Sequence, residues 1–247
     1  MDYRNHKVLI TGGSSGIGLE LSKQLLEKGN RVIICGRDQE KLRAACQAHP
    51  TLESYPCDLA DPEQCLQLCD WIKKEHPDTN VLINNAAIVH TIRFLDDTDS
   101  VEKCQSEIDT NLLAPIRLTK ALIPVLMQNE RPAVINITTG LIYAPRADYP
   151  FYNATKAALH AFTQVLRMQL RATNLNVIEV MFPVVDTPWH NGKPPKIAIS
   201  PQKAVQKMLL GLEKDRPEIR IAGVRFLYLL SRLSPQLAIR IINNLQK

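Results

Sequence analysis

A tyrosine and a lysine four residues apart, Tyr152 and Lys156, have the residue types and the spacing of a proton-transfer pair. On a helix, side chains at this spacing project from the same face. A phenol transfers protons poorly at neutral pH because its ordinary pKa is about 10, but a neighbouring ammonium stabilises the phenolate and lowers that pKa. The pair therefore predicts acid and base chemistry, although a surface tyrosine and lysine would be the simpler interpretation of two such residues in isolation.

Two other polar side chains favour the chemical interpretation. Thr139 follows a predicted strand over 134–138, where a parallel sheet exposes side chains to its ligand crevice and a hydroxyl could bind a carbonyl oxygen. Asn111 lies in a predicted helical stretch over 101–127 that two prolines interrupt. Its amide could hold a water beside the lysine, although a lone asparagine would more often be a structural amide.

A glycine-rich turn follows the first predicted strand, 8–11, and precedes the first predicted helix, 17–27. Such a turn lets backbone amides and a helix N-terminus approach a pyrophosphate, which a Cβ atom at the points of approach would block. Its position between a strand and a helix distinguishes it from an ordinary Gly-Ser loop. The predicted dinucleotide contacts in this turn are Gly12, Ser14, Ser15, Gly16, Ile17 and Gly18.

The second predicted strand ends at Gly36, Arg37 and Asp38. Dinucleotide enzymes often place here an acid that binds the adenosine ribose, and Gly36 occupies its usual position. The Arg37 guanidinium can make paired, charge-assisted contacts with a 2′-phosphate. NADP(H) is therefore the predicted cofactor, with NAD(H) as the alternative, because Asp38 could pair with Arg37 or cap the next helix.

Short apolar runs alternate with longer amphipathic stretches along the whole chain, which predicts right-handed crossovers between parallel strands. The expected fold is an α/β, Rossmann-type, doubly wound parallel sheet with helices on both faces. Without a repeat or linker, residues 1–247 are expected to form a single domain. The predicted strands are 8–11, 32–35, 81–84, 134–138 and 177–181, and the predicted helices are 17–27, 40–48, 63–75, 101–127 and 152–171.

The composition excludes some classes of protein. The net charge of +5 is mild and scattered, so no nucleic-acid partner is expected. The six cysteines form no Cys-x-x-Cys pair, and Cys65 and Cys69 lack nearby histidines, so no metal site is predicted. The first residues lack the apolar run of a secretion signal, so a cytoplasmic location is expected.

Together these residues resemble the short-chain dehydrogenase/reductase family over essentially the whole chain, and within it the bacterial DltE-type oxidoreductases. The sequence TGGSSGIG resembles the cofactor turn of that family, and the run 84–87, Asn-Asn-Ala-Ala, resembles its Asn-Asn-Ala-Gly strand end. Its catalytic Asn-Ser-Tyr-Lys group is matched by Asn111, Thr139, Tyr152 and Lys156.

The resemblance implies an NADP(H)-dependent oxidoreductase that transfers hydride between the nicotinamide and a carbonyl or secondary alcohol. Tyr152 would be the general acid or base, and Lys156 would lower its pKa and bind the nicotinamide ribose. Thr139 would orient the carbonyl, and Asn111 would maintain a water-linked proton path. Further implied cofactor contacts are Asp58, Leu59, Asn85, Ala86, Val185 and Thr187. The alternative is a non-catalytic NADP(H)-binding redox sensor or scaffold.

Three positions depart from the pattern of the family. Thr139 replaces the usual serine, and its β-methyl group stiffens χ1 and narrows the pocket. Ala87 stands for a glycine, and Phe182-Pro183 stands for the usual Pro-Gly. Because none of these changes removes a proton-transfer group, the resemblance still implies activity, with an altered pocket shape.

Other side chains near the pair receive weaker assignments. Tyr149 lacks a lysine four residues on, so it is interpreted as part of the substrate wall. His90 and His190 could touch substrate, although a solvated loop histidine is the commoner outcome. His160 is expected to pack in a helix interface. A substrate loop is predicted over about 187–200.

The expected partners are a small carbonyl or alcohol substrate and further copies of the chain. The apolar helices over 101–127 and 152–171 would pair in a homodimer or homotetramer by the resemblance, or simply be thick core helices. A C-terminal apolar helical segment over about 223–246 is broken by arginines and a proline, so it fails as a membrane span. We expect it to roof the substrate cleft, and lying on a membrane surface is the less favoured alternative.

Overall fold

The computed structural model describes residues 4–190 and 192–245. Its centre is a seven-stranded sheet in which every pairing is parallel, with the strand order β3-β2-β1-β4-β5-β6-β7. The strands are β1 (Lys7–Thr11), β2 (Arg31–Gly36), β3 (Leu52–Pro56), β4 (Val81–Asn84), β5 (Ala133–Thr139), β6 (Asn176–Phe182) and β7 (Glu218–Arg220).

Nine α-helices fall within the described residues and connect or follow these strands. They are α1 (Gly16–Glu27), α2 (Gln39–Ala48), α3 (Pro62–Glu75), α4 (Ser100–Ile108), α5 (Ala114–Leu126), α6 (Pro150–Gln169), α7 (Pro201–Leu212), α8 (Val224–Leu233) and α9 (Pro235–Asn244). Two buried apolar clusters lie against opposite faces of the sheet, one with α1 and α7 and the other with α3 and α5. The predicted doubly wound fold is confirmed.

The strand order reverses between β1 and β4, which are neighbours in space although two strands separate them in sequence. At such a switch point the connections leave to opposite sides of the sheet, which opens a crevice beyond the carboxyl ends of the strands. The residues that follow β1, β4 and β5 are therefore placed at one edge, and these are the positions of the predicted site.

Two strands were absent from the sequence prediction, β3 and β7. Both carry polar residues, Leu-Glu-Ser-Tyr-Pro in β3 and Glu-Ile-Arg in β7, and both lie at the edges of the sheet. An edge strand is only partly buried, so it lacks the continuous apolar run by which the central strands were identified.

The helical stretch predicted over 101–127 is interrupted, but not by its prolines. Pro115 lies in the first turn of α5, where a missing N–H costs little, and Pro124 lies inside the same helix. The regular α-helical pattern gives way instead at a π-helical turn, Asp109–Leu113, between α4 and α5. This turn carries Asn111, and π-bulges of this kind are frequent at functional sites.

The C-terminal segment predicted over 223–246 is two helices rather than one, and its last residue, 246, lies outside the described part of the chain. Ser234 ends α8, and Pro235 begins α9, because proline fits a first helical turn but not a helix interior. The two helices pack against each other at the carboxyl edge of the sheet. Within residues 4–190 and 192–245, no helix is long and apolar enough to cross a bilayer.

Candidate active site

A cavity of about 780 Å³ lies at the carboxyl edge of the sheet. Its lining includes every predicted catalytic or cofactor residue except Asn111. The lining includes the glycine-rich turn and Arg37, together with Thr139, Tyr152 and residues of α8 and α9. The cavity therefore combines polar groups with apolar side chains.

The glycine-rich turn has a backbone that requires glycine. Gly12 and Gly16 have φ angles of +64° and +52°, a region that side chains with a Cβ rarely adopt. At Gly18 the obstacle is space, because a Cβ there would lie 2.2 Å from the carbonyl oxygen of Gly12. The turn and the N-terminus of α1 therefore form the close, Cβ-free cradle that a pyrophosphate needs.

Gly18→Ala is expected to lower the free energy of unfolding by about 1–3 kcal/mol, because overpacking of this size forces the backbone to shift. The added methyl would also lie 2.7 Å from the Asn85 side chain, which helps hold the turn. Thermal denaturation and dinucleotide titration measure the two effects. Gly223→Ala is the matched control, since a Cβ there meets nothing within 4 Å; equal stability of the two variants would contradict the steric argument.

Asn85 and Ala86 fasten the glycine-rich turn to the end of β4. The Asn85 amide donates to the carbonyl oxygen of Thr11 at 2.9 Å, and the Thr11 hydroxyl accepts from the backbone N–H groups of Asn85 and Ala86. Both residues line the cavity, so the same contacts that shape the turn also set the cavity wall.

The basic end of the cavity contains one residue that sequence reasoning missed, Lys41. Asp38 caps α2 through the backbone N–H of Lys41 at 3.0 Å, and its carboxylate pairs with the Lys41 ammonium at 2.9 Å. The Lys41 interactions hold the pKa of Asp38 below its usual range. Of the two roles considered for Asp38, the helix cap is the one observed, and no ion pair with Arg37 is present among the described residues.

Asp58 and Leu59 form the wall beside this basic end. The backbone N–H of Asp58 donates to the Gln64 side chain at 2.8 Å, and its carboxylate accepts from the N–H of Ala60 at 3.0 Å. These contacts fix the start of the segment between β3 and α3, and the buried Leu59 presents an apolar surface to the cavity.

Tyr152 lies in the first turn of α6, with its ring toward the cavity. Burial raises the pKa of its phenol above the ordinary value, and the Thr139 hydroxyl partly offsets that rise. Thr139 ends β5, so the strand supplies one hydroxyl and the helix supplies the other. The structure brings the two predicted residues together.

Lys156 is fully buried one helical turn further along α6. Its ammonium donates to the carbonyl oxygen of Ile137 at 2.8 Å and lies 5.9 Å from the centroid of the Tyr152 ring. Burial lowers the pKa of Lys156 to about 8. The predicted net lowering of the Tyr152 pKa is therefore wrong for the protein alone, because burial raises that pKa.

Asn111 lies behind the cavity wall and is fully buried. Its side-chain oxygen accepts from the N–H of Ile88 at 2.8 Å, and its amide donates to the carbonyl of Ile88 at 2.8 Å and to the hydroxyl of Thr155 at 3.3 Å. Asn111 thus connects the segment after β4 to the helix that carries Tyr152 and Lys156. The water-linked proton path from Asn111 to Lys156 stays a prediction.

A buried acid, Glu179 on β6, is a second feature that was not predicted. Its carboxylate accepts from the Thr138 hydroxyl at 2.5 Å and lies 2.7 Å from the Nδ1 atom of His160. Its negative charge raises the pKa of Lys156 and opposes part of the burial effect. Two features of the sequence could have indicated this buried acid. One is a glutamate within a largely apolar strand, and the other is His160, one helical turn beyond Lys156.

Described residues of the segment between β6 and α7, on both sides of residue 191, line the cavity. Val185 bridges to Ile199, and a Cβ on Gly16 would lie 3.4 Å from Thr187, so the segment rests on the glycine-rich turn. The Trp189 ring packs edge-on against Tyr152, with 5.4 Å between the ring centroids. The predicted substrate loop therefore reaches both ends of the crevice.

Of the other side chains considered near the pair, some line the cavity and some do not. Tyr149 and His190 line the cavity, in agreement with a wall position. The His90 ring and its backbone N–H contact the buried carboxylate of Glu107 at 3.0 and 2.7 Å, which keeps His90 outside the lining. No group of three or more possible metal ligands occurs within residues 4–190 and 192–245.

Comparison with known proteins identifies the class that this fold and cavity define. Residues 6–197 match the family model for short chain dehydrogenase. The chain belongs to the short-chain dehydrogenase family and is an oxidoreductase of the kind that acts on CH–OH or C=O groups. The predicted family is confirmed.

Among its relatives, the chain is 44% identical over 233 residues to the uncharacterized oxidoreductase DltE of Bacillus subtilis, which covers 91% of this chain and 92% of the relative. It is 30% identical over 223 residues to a fatty acyl-CoA reductase of Acinetobacter baylyi, covering 87% and 74% of the two chains.

Solved structures support the fold. A short chain dehydrogenase from Burkholderia cenocepacia in complex with NADP superposes with a TM-score of 0.86 at 24% identity, covering 98% of this chain and 99% of that one. A Burkholderia phymatum short chain dehydrogenase/reductase in complex with NAD superposes with a TM-score of 0.84 at 15% identity, covering 99% and 97%.

Proposed function

We propose that this protein is an NADP(H)-dependent oxidoreductase in which Tyr152 exchanges a proton with a carbonyl or secondary alcohol substrate. The observation that carries the proposal is that Tyr152, Thr139 and the buried Lys156 line the same cavity as the glycine-rich turn. The nicotinamide supplies or accepts the hydride when the dinucleotide is bound.

We assign each side chain of the site a separate role in proton transfer. Tyr152 is protonated at neutral pH, and burial raises its pKa further, so it can protonate the oxygen of a carbonyl being reduced. The Thr139 hydroxyl orients that oxygen from the end of β5. Lys156 provides positive charge that Glu179 stabilises from behind, and Asn111 holds the helix of the pair in place.

The glycine-rich turn and the basic end of the cavity fit a dinucleotide. Gly12, Gly16 and Gly18 leave the space for a pyrophosphate. Asp58, Asn85 and Ala86 line the cavity beside them. Val185 and Thr187 would hold the nicotinamide end and Lys156 its ribose, as the family resemblance implies.

Selection of NADP(H) is assigned to Arg37, with Lys41 as a second cation at the same end. Arg37→Ala is expected to weaken NADPH about 10- to 100-fold, because a charge-assisted contact to a phosphate contributes about 1.5–3 kcal/mol. NADH, which lacks that phosphate, should be affected far less. Calorimetric titration with both cofactors measures the difference.

Arg43→Ala is the matched control for this prediction, since Arg43 is an exposed arginine of α2 that is outside the cavity lining. An equal loss of NADPH and NADH affinity in Arg37→Ala would contradict the assignment. Retention of full NADPH affinity would contradict it too.

The proposed activity is tested by NADPH oxidation against a panel of carbonyl compounds. Apolar aldehydes and ketones are the first choice, because the lining of the cavity includes the apolar side chains Trp189, Leu227 and Leu230. A relative described as a fatty acyl-CoA reductase supports an acyl-derived carbonyl in the panel. Tight NADPH binding without turnover of any member would favour a dinucleotide sensor instead.

Further copies of this chain are the proposed partner, in a homodimer or homotetramer formed through α4 to α6. Val101 on α4 and Met168 on α6 leave large apolar side chains exposed, 77% and 63% respectively. A cytoplasmic location is proposed as well, because all six cysteines are free thiols, which suits a reducing compartment.

A further inference from the structure

The helices α8 and α9 form a pair with two different faces, which we call the C-terminal cap. Its inner face covers the cavity through Val224, Leu227 and Leu230 of α8 and Ile242 of α9. Val224 also lies over the end of β5, since a Cβ on Gly140 would be 3.1 Å from it. The cap therefore serves as the roof that the sequence predicted.

The outer face of the cap is apolar and exposed. Phe226, Leu229 and Leu233 have exposed fractions of 66%, 52% and 86%. At 100° per residue they fall within an arc of about 60° on α8. Leu237 and Ile241 on α9 are exposed as well, and Ile241 also lines the cavity.

This exposure exceeds what packing onto the domain requires. A cap whose only task was to roof the cavity would need an apolar inner face and a polar outer one. Exposed apolar side chains in this number on two packed helices mark a site of contact with another molecule or a lipid surface.

The charges around the apolar stripe identify the kind of surface that fits. Arg225 and Arg232 lie along one edge of the stripe on α8, and Arg240 lies beside Leu237 and Ile241 on α9; all three arginines are exposed. Residues 219–247 contain no aspartate or glutamate. Among the described residues, none of these three arginines forms an ion pair with an acidic side chain.

A second copy of the chain would fit this face poorly, because a two-fold contact would bring the arginines of the two caps against each other without an acid between them. An anionic lipid surface satisfies both features at once. Apolar side chains enter the boundary between headgroups and acyl chains, and arginines remain with the phosphates.

We infer that the C-terminal cap docks the protein on the surface of an anionic lipid bilayer, with Phe226, Leu229 and Leu233 inserted and Arg225, Arg232 and Arg240 at the headgroups. Phe226 lines the cavity as well as the outer face, so the docked surface is continuous with the cavity mouth. The contact lies in the plane of the membrane and requires no spanning helix.

The test is flotation of the purified full chain with vesicles of phosphatidylcholine and phosphatidylglycerol, compared with phosphatidylcholine alone. The wild-type protein is expected to float with the anionic vesicles, and high salt should weaken the binding because headgroup attraction is screened. Arg225→Gln combined with Arg240→Gln should weaken it roughly 25-fold, since one arginine near an anionic surface contributes a factor of about five.

Leu229→Ser combined with Leu233→Ser should weaken binding roughly tenfold or more, because it removes inserted apolar area. Neither residue lines the cavity, so NADPH binding should stay at the wild-type level and report correct folding. Leu66→Ser combined with Leu210→Ser is the matched control, since these leucines are exposed to a similar extent, 54% and 50%, on other helices. The control should float as the wild-type protein does.

Three results would overturn the inference. They are no flotation of the wild-type protein with anionic vesicles, equal flotation of all variants, and a change from dimer to monomer in the Leu229 and Leu233 variant without vesicle binding. The last would show that the cap contacts a second copy. Turnover does not enter the assay, so a protein that floats but reduces no carbonyl would contradict the proposed function alone.

Discussion

Tyr152→Phe is expected to lower the turnover number about 100- to 10,000-fold, the range in which a positioned proton donor contributes to catalysis. The change removes one oxygen atom from the cavity and leaves the ring, with its contact to Trp189, in place. Cofactor affinity should stay close to wild type, because the change leaves the glycine-rich turn and Arg37 unaltered. Steady-state kinetics and NADPH titration on the same sample separate the two effects.

If Tyr152 is the proton donor, the rates of reduction and oxidation should depend on pH in opposite ways. Carbonyl reduction needs the protonated phenol, so its rate should be level through neutral pH and fall only at alkaline pH, because burial raises the pKa of Tyr152. Alcohol oxidation needs the phenolate, so its rate should rise in the alkaline range in which the rate of reduction falls.

Tyr149→Phe is the matched control, because Tyr149 lines the same cavity, with 6.4 Å between its ring centroid and that of Tyr152. This variant should keep the pH profile of the wild type. If Tyr149→Phe lost activity while Tyr152→Phe kept it, the assignment of the proton donor would be wrong.

Lys156→Met is expected to abolish turnover and yet to stabilise the fold at neutral pH. Burial lowers the pKa of Lys156 from 10.5 to about 8, so the folded protein pays an electrostatic cost for holding this charge below pH 8. That shift corresponds to about 3 kcal/mol. Loss of the hydrogen bond to Ile137 offsets about 1 kcal/mol of the gain.

The size of this effect depends on pH. Between the folded pKa of about 8 and the unfolded value of 10.5, the unfolded chain binds more protons at this site than the folded chain. The wild-type protein therefore gains stability as pH rises through this interval, and the advantage of the variant disappears above it.

Urea denaturation of both proteins at pH 7 and at pH 10.5 measures the difference. Lys41→Met is a useful control, because Lys41 is an exposed lysine whose removal should not stabilise the protein at pH 7. Destabilisation of Lys156→Met at pH 7 would show that the ammonium is compensated by its surroundings, including Glu179, more fully than its burial indicates.

The interaction between Lys156 and Glu179 extends the site beyond the side chains that face the cavity. Glu179 is buried, and its carboxylate contacts Thr138 and His160 rather than the lysine itself. Its charge nevertheless acts on the lysine through the low-dielectric interior of the protein, where charges interact over longer distances than in water. Thus β6, which contributes no predicted catalytic residue, adjusts the charge at the centre of the site.

The sequence by itself determined those features that depend on local sterics and spacing along the chain. The glycine-rich turn is recognisable because a positive φ at Gly12 and Gly16 restricts the residue type wherever the turn occurs. The pair Tyr152 and Lys156 is recognisable because one helical turn places both side chains on one face. The five central strands are recognisable because burial on both faces requires continuous apolar runs.

Only the tertiary structure decided the features that depend on which distant residues meet. The partner of Asp38, the bridging position of Asn111 and the charge of Glu179 behind Lys156 each follow from contacts between separate elements. The direction of the Tyr152 pKa shift was wrong at the level of sequence, because a pKa depends on burial as well as on a neighbouring charge. Spacing along a helix places two groups on the same side, but it does not report how much water surrounds them.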